Sequence, residues 1–401
     1  MTDKNANKIG YKKTKLGWIP ENWKIVRLEN CFTLTSGITK PQAVSLFKDI
    51  TYKYPIYGGN GIIGYTDVLF LKNDTILIGR VGEKCGCVYL ISNSDGYWVT
   101  DNALFINSLK INFNFNFMYY QLLKQNLNKL RSKSGQPLIS QKPIYETMIT
   151  FPPIIEQEKI AEVLSCWDDG IEVLEKLLEK KQLHKKALMQ RLLSRKLILC
   201  CSKTWKHSKF NSIFERIVRK NKELNKNILT ISAQQGLISQ KNFYNKRIAS
   251  IDTSKYILLE LGEFAYNKSY SNGYPLGAIK RLELYQKGVV SSLYICFKLK
   301  DKNGCSDYWK YYFEAGMLNK EIKMIAQEGA RNHGLLNMTT EDFFNILLYY
   351  PEDKNEQQKI AQVLNNCDEE IRLLGKKLEM LKQQKKGLMQ KLLTGEIRVK
   401  I

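Results

Sequence analysis

Apolar residues recur at steps of four and three along two stretches of this 401-residue chain. In the first they are Ile160, Leu164, Trp167, Ile171, Leu174 and Leu178. In the second they are Ile360, Leu364, Cys367, Ile371, Leu374, Leu378 and Leu381. This is the heptad spacing of a helix that lays one apolar seam against another helix. The two stretches are copies: Glu156–Leu193 and Glu356–Leu393 align without a gap at an offset of 200 residues, and 20 of 38 positions are identical. Lys181 interrupts the first seam where the second has Leu381, and Lys185 and Lys385 interrupt both. Glu156 and Glu158 open the first copy, and Lys185, Lys186, Arg191 and Arg195 close it, the polarity that the helix dipole favours. Each copy predicts a helix roughly 57 Å long at ~1.5 Å per residue.

Outside the copies the periodicity is different. Residues 32–150 carry short strand candidates at 75–78, 87–91 and 103–106, separated by turn signals such as Tyr57-Gly58-Gly59-Asn60-Gly61, and a helical pattern over 115–130. A second region from Trp205 to Tyr350 predicts strands at 256–261, 278–279 and 288–297 and helices near 309–313, 317–325 and 341–347. The two regions are unlike in sequence but start and end alike. Thr204-Trp205-Lys206 echoes Asn22-Trp23-Lys24, Phe210 and Phe214 fall where Leu28 and Phe32 fall, and Tyr350-Pro351 matches Phe151-Pro152.

The division that follows is 1–154 and 201–354 for two globular α/β domains, with 155–200 and 355–401 for the long helices. The fold class is α+β. Two apolar seams in one chain bury each other, and an antiparallel pair needs no long return connection. The expected arrangement is therefore an antiparallel coiled coil separating two heads, pseudo-two-fold overall.

Charge adds a partner. Lys and Arg number 62 against 39 Asp and Glu, a net charge of +23, which suits a polyanion, nucleic acid above all. Two unlike basic heads on a rod would read two short duplex sequences, with half-sites about one helical turn, roughly 34 Å, apart. A coiled-coil adaptor whose heads bind protein or RNA is the alternative. No run of 18 apolar residues exists and the polar N-terminus lacks an apolar core, so neither a membrane span nor a secretory signal is expected, and the location is cytoplasmic. Nine cysteines without metal-ligand spacing read as reduced thiols, and no metal site is expected.

The order of globular unit, EQxKIAxVL helix ending in KKxLMQxLL, second unit and the same helix again resembles the specificity subunit of type I restriction–modification systems. The entry GWIPENWKIVRL and the segments PIYGGNGIIGY and SGQPLIS are similar to that family as well. The resemblance implies a chain without catalysis or bound cofactor, whose two target-recognition domains select a bipartite duplex DNA site. It also implies two methylation subunits held through the helices and two restriction/translocase subunits. S-adenosylmethionine, ATP and Mg would sit on those partners, which methylate adenine or cleave the site. Consistent with this, no P-loop occurs. Gly59-Asn60-Gly61-Ile62-Ile63-Gly64 matches a dinucleotide fingerprint, but a strand-like stretch follows it where a helix is required.

Phosphates are contacted by Lys and Arg, and base edges are read by Arg, Lys, Asn and Gln. In the first domain Asn60, Arg80, Lys84, Arg131, Lys133, Ser134 and Gln136 are the candidates, because they stand in Gly-containing or polar loops or at a helix end. In the second they are Lys268, Tyr270, Asn272, Lys280, Arg281, Arg331, Asn332 and His333.

Overall fold

The computed structural model describes residues 9–92, 95–132, 135–198, 204–232, 235–244, 252–270, 273–328 and 336–400. The chain divides into two compact units, one of residues 1–176 with 376–401 and the other of residues 177–375. Both long helices form, Ile154–Leu193 and Lys354–Leu392, and each contributes one half to each unit.

In the first unit a hairpin, β1 (Tyr11–Thr14) with β2 (Gly17–Pro20), leads to β3 (Lys24–Arg27). The sheet that follows has the order β4 (Phe32–Ser36), β10 (Ala103–Leu109), β7 (Thr75–Gly79), β8 (Val88–Ile91), all antiparallel. Every residue of β7 is buried because both faces of this sheet are covered. Ile76 and Ile78 face a cluster with Phe32, Leu104 and the helix residues Met118 and Leu122, while Leu77 faces Val99 and Phe105 on the other side. A side sheet of β5 (Tyr54–Gly58), β6 (Gly61–Thr66) and β9 (Trp98–Val99) is inserted. Helix Phe115–Gln125 is capped by the Asn114 side chain, which accepts from Phe117 N. The helical pattern runs on to 130, but Asn126 turns left-handed at φ 51° and residues 127–130 form a separate 3-10 turn. The helix therefore stops five residues short of the expected end. β11 (Met148–Phe151) returns to pair with β3 and feeds the first long helix.

The second unit begins with β12 (Trp205–Lys209) and then β13 (Phe214–Arg216). It inserts β14 (Leu229–Ser232) paired with β15 (Gly236–Ser239), and β16 (Ile257–Glu260) paired later with β19 (Lys287–Val290). β17 (Phe264–Asn267), β18 (Ala278–Arg281) and β20 (Ile295–Leu299) complete a sheet of order β13, β20, β17, β18. The stretch 288–297, expected as one strand, is two, because Ser291–Tyr294 turns between β19 and β20. Helices Ser306–Glu314, Asn319–Ile325 and Thr340–Asn345 follow, with a short ribbon of β21 (Gln327–Glu328) and β22 (Leu336–Asn337) before the last of them. β23 (Leu347–Pro351) pairs with β12 and enters the second long helix. Phenylalanines dominate this core; Phe210, Phe214, Phe264, Phe297 and Phe343 are fully buried and in mutual ring contact.

The two units thus share one plan. Sheet order β4, β10, β7, β8 corresponds to β13, β20, β17, β18, and the ribbon of β3 with β11 corresponds to that of β12 with β23. The identical residues of the helix repeat explain the junction. Glu156 is fully buried and accepts the indole N–H of Trp23 at 2.9 Å, and Glu356 accepts that of Trp205 at 3.1 Å. Gln157 Nε2 donates to Pro152 O and Gln357 Nε2 to Pro351 O, each at 2.9 Å. One difference stands out. Glu156 is also clasped by Arg398, at 3.0 and 2.9 Å, whereas Glu356 Oε2 is buried with no hydrogen-bond partner among the described residues.

Within each unit the helix halves run antiparallel. In the first, Lys385 pairs with Asp168 and Lys382 with Glu175; in the second, Lys185 pairs with Asp368 and Lys181 with Glu370. The lysines that break the heptad are therefore matched to carboxylates of the facing helix. Tyr120 OH donates to Asp168 at 2.7 Å, and Tyr311 OH donates to Asp368 at 2.6 Å. In both places the lysine Nζ lies 5.2 Å from the centre of that tyrosine ring. Burial first, and then the aspartate, pushes both phenols far above their ordinary value. Of the seam residues, Ile160, Leu164, Ile171, Leu174, Ile360, Leu364 and Leu378 are buried, and Trp167, Leu178, Ile371, Leu374 and Leu381 half-buried. Ile160 and Leu164 also join the domain core, packing with Phe117, Tyr120, Leu392 and Leu393.

The end of the second long helix is sealed by the first unit. Thr150 Oγ1 donates to Leu393 O at 2.5 Å, Gln121 Nε2 at 3.4 Å and Lys124 Nζ at 3.3 Å. Burial pulls the Lys124 ammonium down to about 8. The unfolded chain keeps its proton up to the ordinary lysine value, so the cost of burying the charge is full below pH 8 and relieved as pH rises. Lys124→Met is accordingly expected to unfold at higher urea than the parent at pH 7, with the difference shrinking between pH 8 and 10. A difference independent of pH would show that the ammonium is not the source.

Candidate nucleic-acid interface

Arg80 is the residue immediately after β7. Its backbone N–H donates to Asn102 O at 2.9 Å and its guanidinium to Asp101 O at 3.4 Å. The two-residue turn Gly59–Asn60 between β5 and β6 lies against the same spot. A Cβ on Gly59 would stand 2.8 Å from Asn102 O and 3.7 Å from Arg80 N, so glycine is what permits the approach. The segment after Arg131 is tied on from the other side. Val81 bridges to Leu138, Gly82 N donates to Pro137 O at 2.9 Å, and Ile139 N donates to Arg80 O at 2.9 Å. Burial raises the Cys85 thiol while the Arg131 guanidinium pulls it down, which places Arg131 beside the loop that follows Arg80. Asn60, Arg80, Lys84, Arg131 and Gln136 thus gather at one end of the sheet; all but the half-exposed Arg80 are exposed. None of the three cations is ion-paired among the described residues. Lys133 and Ser134 lie outside the described residues.

The second unit builds the same corner from different residues. Lys268 follows β17 as Arg80 follows β7, and Leu336 N donates to Lys268 O at 3.1 Å, the counterpart of the Ile139–Arg80 bond. Tyr270 is 64% exposed in the loop that continues from it. Asn272, Arg331, Asn332 and His333 lie outside the described residues.

Lys280 and Arg281 are placed elsewhere. Lys280 is 9% exposed and its ammonium is held by Glu314 and, at 3.1 Å, by Tyr274 OH. Arg281 donates to Asp307 at 2.7 Å, Glu283 at 2.6 Å and Ser306 Oγ at 2.9 Å, and Asp307 in turn accepts from Asn365 of the second long helix at 2.9 Å. Their charge is spent inside the protein, and withdrawing either would strand a carboxylate. Strand residues of alternating type looked like loop-end cations in sequence because the acids that bind them, Glu314 and Asp307, come from a helix about 30 positions later. What sequence reasoning missed is a concave site of 330 Å³ beside Arg80, lined by Ser36, Ser140, Gln141 and the exposed Lys142. The only signal for it is the Ser-Gln-Lys that follows the SGQPLI segment.

This geometry suits a polyanion at the loop end of each sheet, with an amide and guanidinia able to reach base edges. Comparison with known proteins agrees. The model of the type I restriction modification DNA specificity domain matches residues 20–182. The specificity subunit of the type I restriction enzyme EcoprrI from Escherichia coli is 33% identical over 121 residues, 30% of this chain and 29% of that protein. The MjaVIII specificity subunit of Methanocaldococcus jannaschii is 24% identical over 416 residues, covering 95% of this chain and 94% of that one. Among solved structures, the type I restriction–modification S subunit from M. genitalium superposes with a TM-score of 0.57 at 18% identity, over 93% of this chain and 96% of that one. Residues 20–182 thus match the DNA specificity domain of type I restriction–modification systems, and the chain is similar over nearly its whole length to specificity subunits of such systems.

Proposed function

We propose that this subunit recognises a bipartite duplex DNA site, one unit per half-site, and carries no catalysis of its own. Partner subunits, two for methylation and two for restriction and translocation, would perform adenine methylation or cleavage and would bring S-adenosylmethionine, ATP and Mg. The observation that carries the reading is the shared corner. Arg80 and Lys268 occupy the same position of two equivalent sheets, each bonded through its carbonyl to the segment that precedes the next helix. The elements inserted into the two units, β5, β6 and β9 in one and β14, β15, β16 and β19 in the other, differ, as two readers of different sequences require. The polar junctions and helix pairs, by contrast, are built from repeated residues and suit a pair of like partners.

Exchange of residues 205–350 for the corresponding region of another family member tests it. Methylation mapping of the reconstituted complex is expected to show one half-sequence replaced and the other retained. A change in both halves would contradict independent readers, and a change in neither would remove the second unit from recognition.

A further inference from the structure

The loop between β4 and β5 has a surface that the interface above does not use. Leu46, Phe47 and Ile50 are 77%, 79% and 97% exposed. They are held out by specific bonds. Ser45 exchanges backbone bonds with Tyr65 at 2.9 and 2.8 Å, its hydroxyl accepts from Phe47 N at 3.1 Å, and Asp49 accepts from Thr51 N at 2.8 Å and Tyr52 N at 2.6 Å. Three large apolar groups fixed in water signal a binding surface. Lys40, Lys48 and Lys53 of the same loop are exposed as well, and the one acid of the loop, Asp49, is occupied by the turn. The loop also springs from the corner already described. Ile38 O accepts from Asp101 N at 3.2 Å, and Asp101 O accepts from Arg80.

We propose that Phe47, flanked by Leu46 and Ile50, is an apolar wedge that enters the duplex at the half-site of the first unit, while the neighbouring lysines hold the phosphates on either side. Side chains of this kind press between base steps from the minor groove, unstack them in part and kink the helix. A wedge selects sequence by the ease with which a step opens, without a hydrogen bond to any base. A basic rim continuous with the Arg80 corner favours DNA as the occupant over a protein partner. The inference rests on the DNA-recognition reading above.

The test uses the intact complex with its methylation subunits and the duplex found by methylation mapping, with 2-aminopurine placed at successive steps of the half-site. Binding by the parent is expected to raise the fluorescence of one step. The L46A/F47A/I50A variant, altered only at exposed positions, should lose that signal and bind about tenfold to a hundredfold more weakly. Its dependence on salt should be unchanged, since no phosphate contact is removed. Phe47→Trp should retain the signal. Equal affinity and equal fluorescence in the parent and the triple variant would overturn the wedge while leaving recognition intact. So would a variant that binds DNA normally but releases the methylation subunits, which would make the loop a protein-docking surface. A parent complex that protects no discrete duplex would overturn the recognition reading itself, and the wedge with it.

Discussion

Arg398→Met is expected to lower the stability of the first unit by about 3 kcal/mol, because it leaves a buried carboxylate without its counter-charge. Glu156 is fully buried and, among the described residues, its side chain is held by the Trp23 indole and the Arg398 guanidinium, which takes both of its oxygens. Arg398 is partly open to solvent, 39% exposed, so the figure belongs at the lower end of what breaking a buried pair costs. The second unit supplies the control. Glu356 is in the same place with the Trp205 indole on one oxygen and, among the described residues, no hydrogen-bond partner on the other. Glu356→Gln should therefore be near neutral, removing a charge that nothing offsets, while Glu156→Gln should be costly because it weakens a bidentate ion pair. Urea unfolding of the three variants, with hydrogen exchange to assign each loss to its unit, decides the matter. Equal costs for Glu156→Gln and Glu356→Gln would show that Arg398 contributes nothing.

Arg80→Ala is the variant with the largest expected effect on recognition. Loss of a guanidinium that contacts a base edge or phosphate costs about 1–3 kcal/mol, so specific binding should weaken about tenfold to a hundredfold. The loss should be confined to the half-site of the first unit. Competition with duplexes altered in one half at a time reads this directly: the variant should become indifferent to changes in that half and keep its discrimination in the other. Lys268→Ala should do the converse. Lys280→Ala should act differently, through stability, since it strands Glu314. If Lys280→Ala matched Lys268→Ala in binding with no loss of stability, the assignment of the corner would be wrong.

The long helices and their antiparallel pairing were legible from sequence because a heptad repeat and a gapless duplication are both long-range patterns. The corner residues were half legible. Asn60, Arg80, Lys84, Arg131 and Gln136 were marked by glycine and by loop polarity, and such loops at the end of one sheet converge. Lys280 and Arg281 were misread for the same reason that makes local sequence weak: their partners Glu314 and Asp307 are supplied by tertiary packing. Likewise, Asn126 ended a helix whose apolar pattern continued, because a left-handed residue costs little at Asn and the following Leu127 still reaches the core. The shared sheet order of the two units had little sequence trace beyond the matched starts at Trp23/Trp205, Leu28/Phe210 and Phe32/Phe214 and the matched ends at Pro152 and Pro351, since different side chains can fill the same layers.

The reciprocal pairs Lys385 with Asp168 and Lys185 with Asp368 have a genetic consequence. Each copy of the repeat carries both the acid and the base, as does each side of an isologous interface. Recombination between copies, or between this gene and a relative, with crossovers inside the helix stretches, would deliver a new insert flanked by the same Glu-Gln start and the same Asp and Lys. The Asp–Lys pairs and the Glu–Trp junctions would be rebuilt without a compensating mutation. The insert could therefore be exchanged in a single step while the paired helix frame is kept.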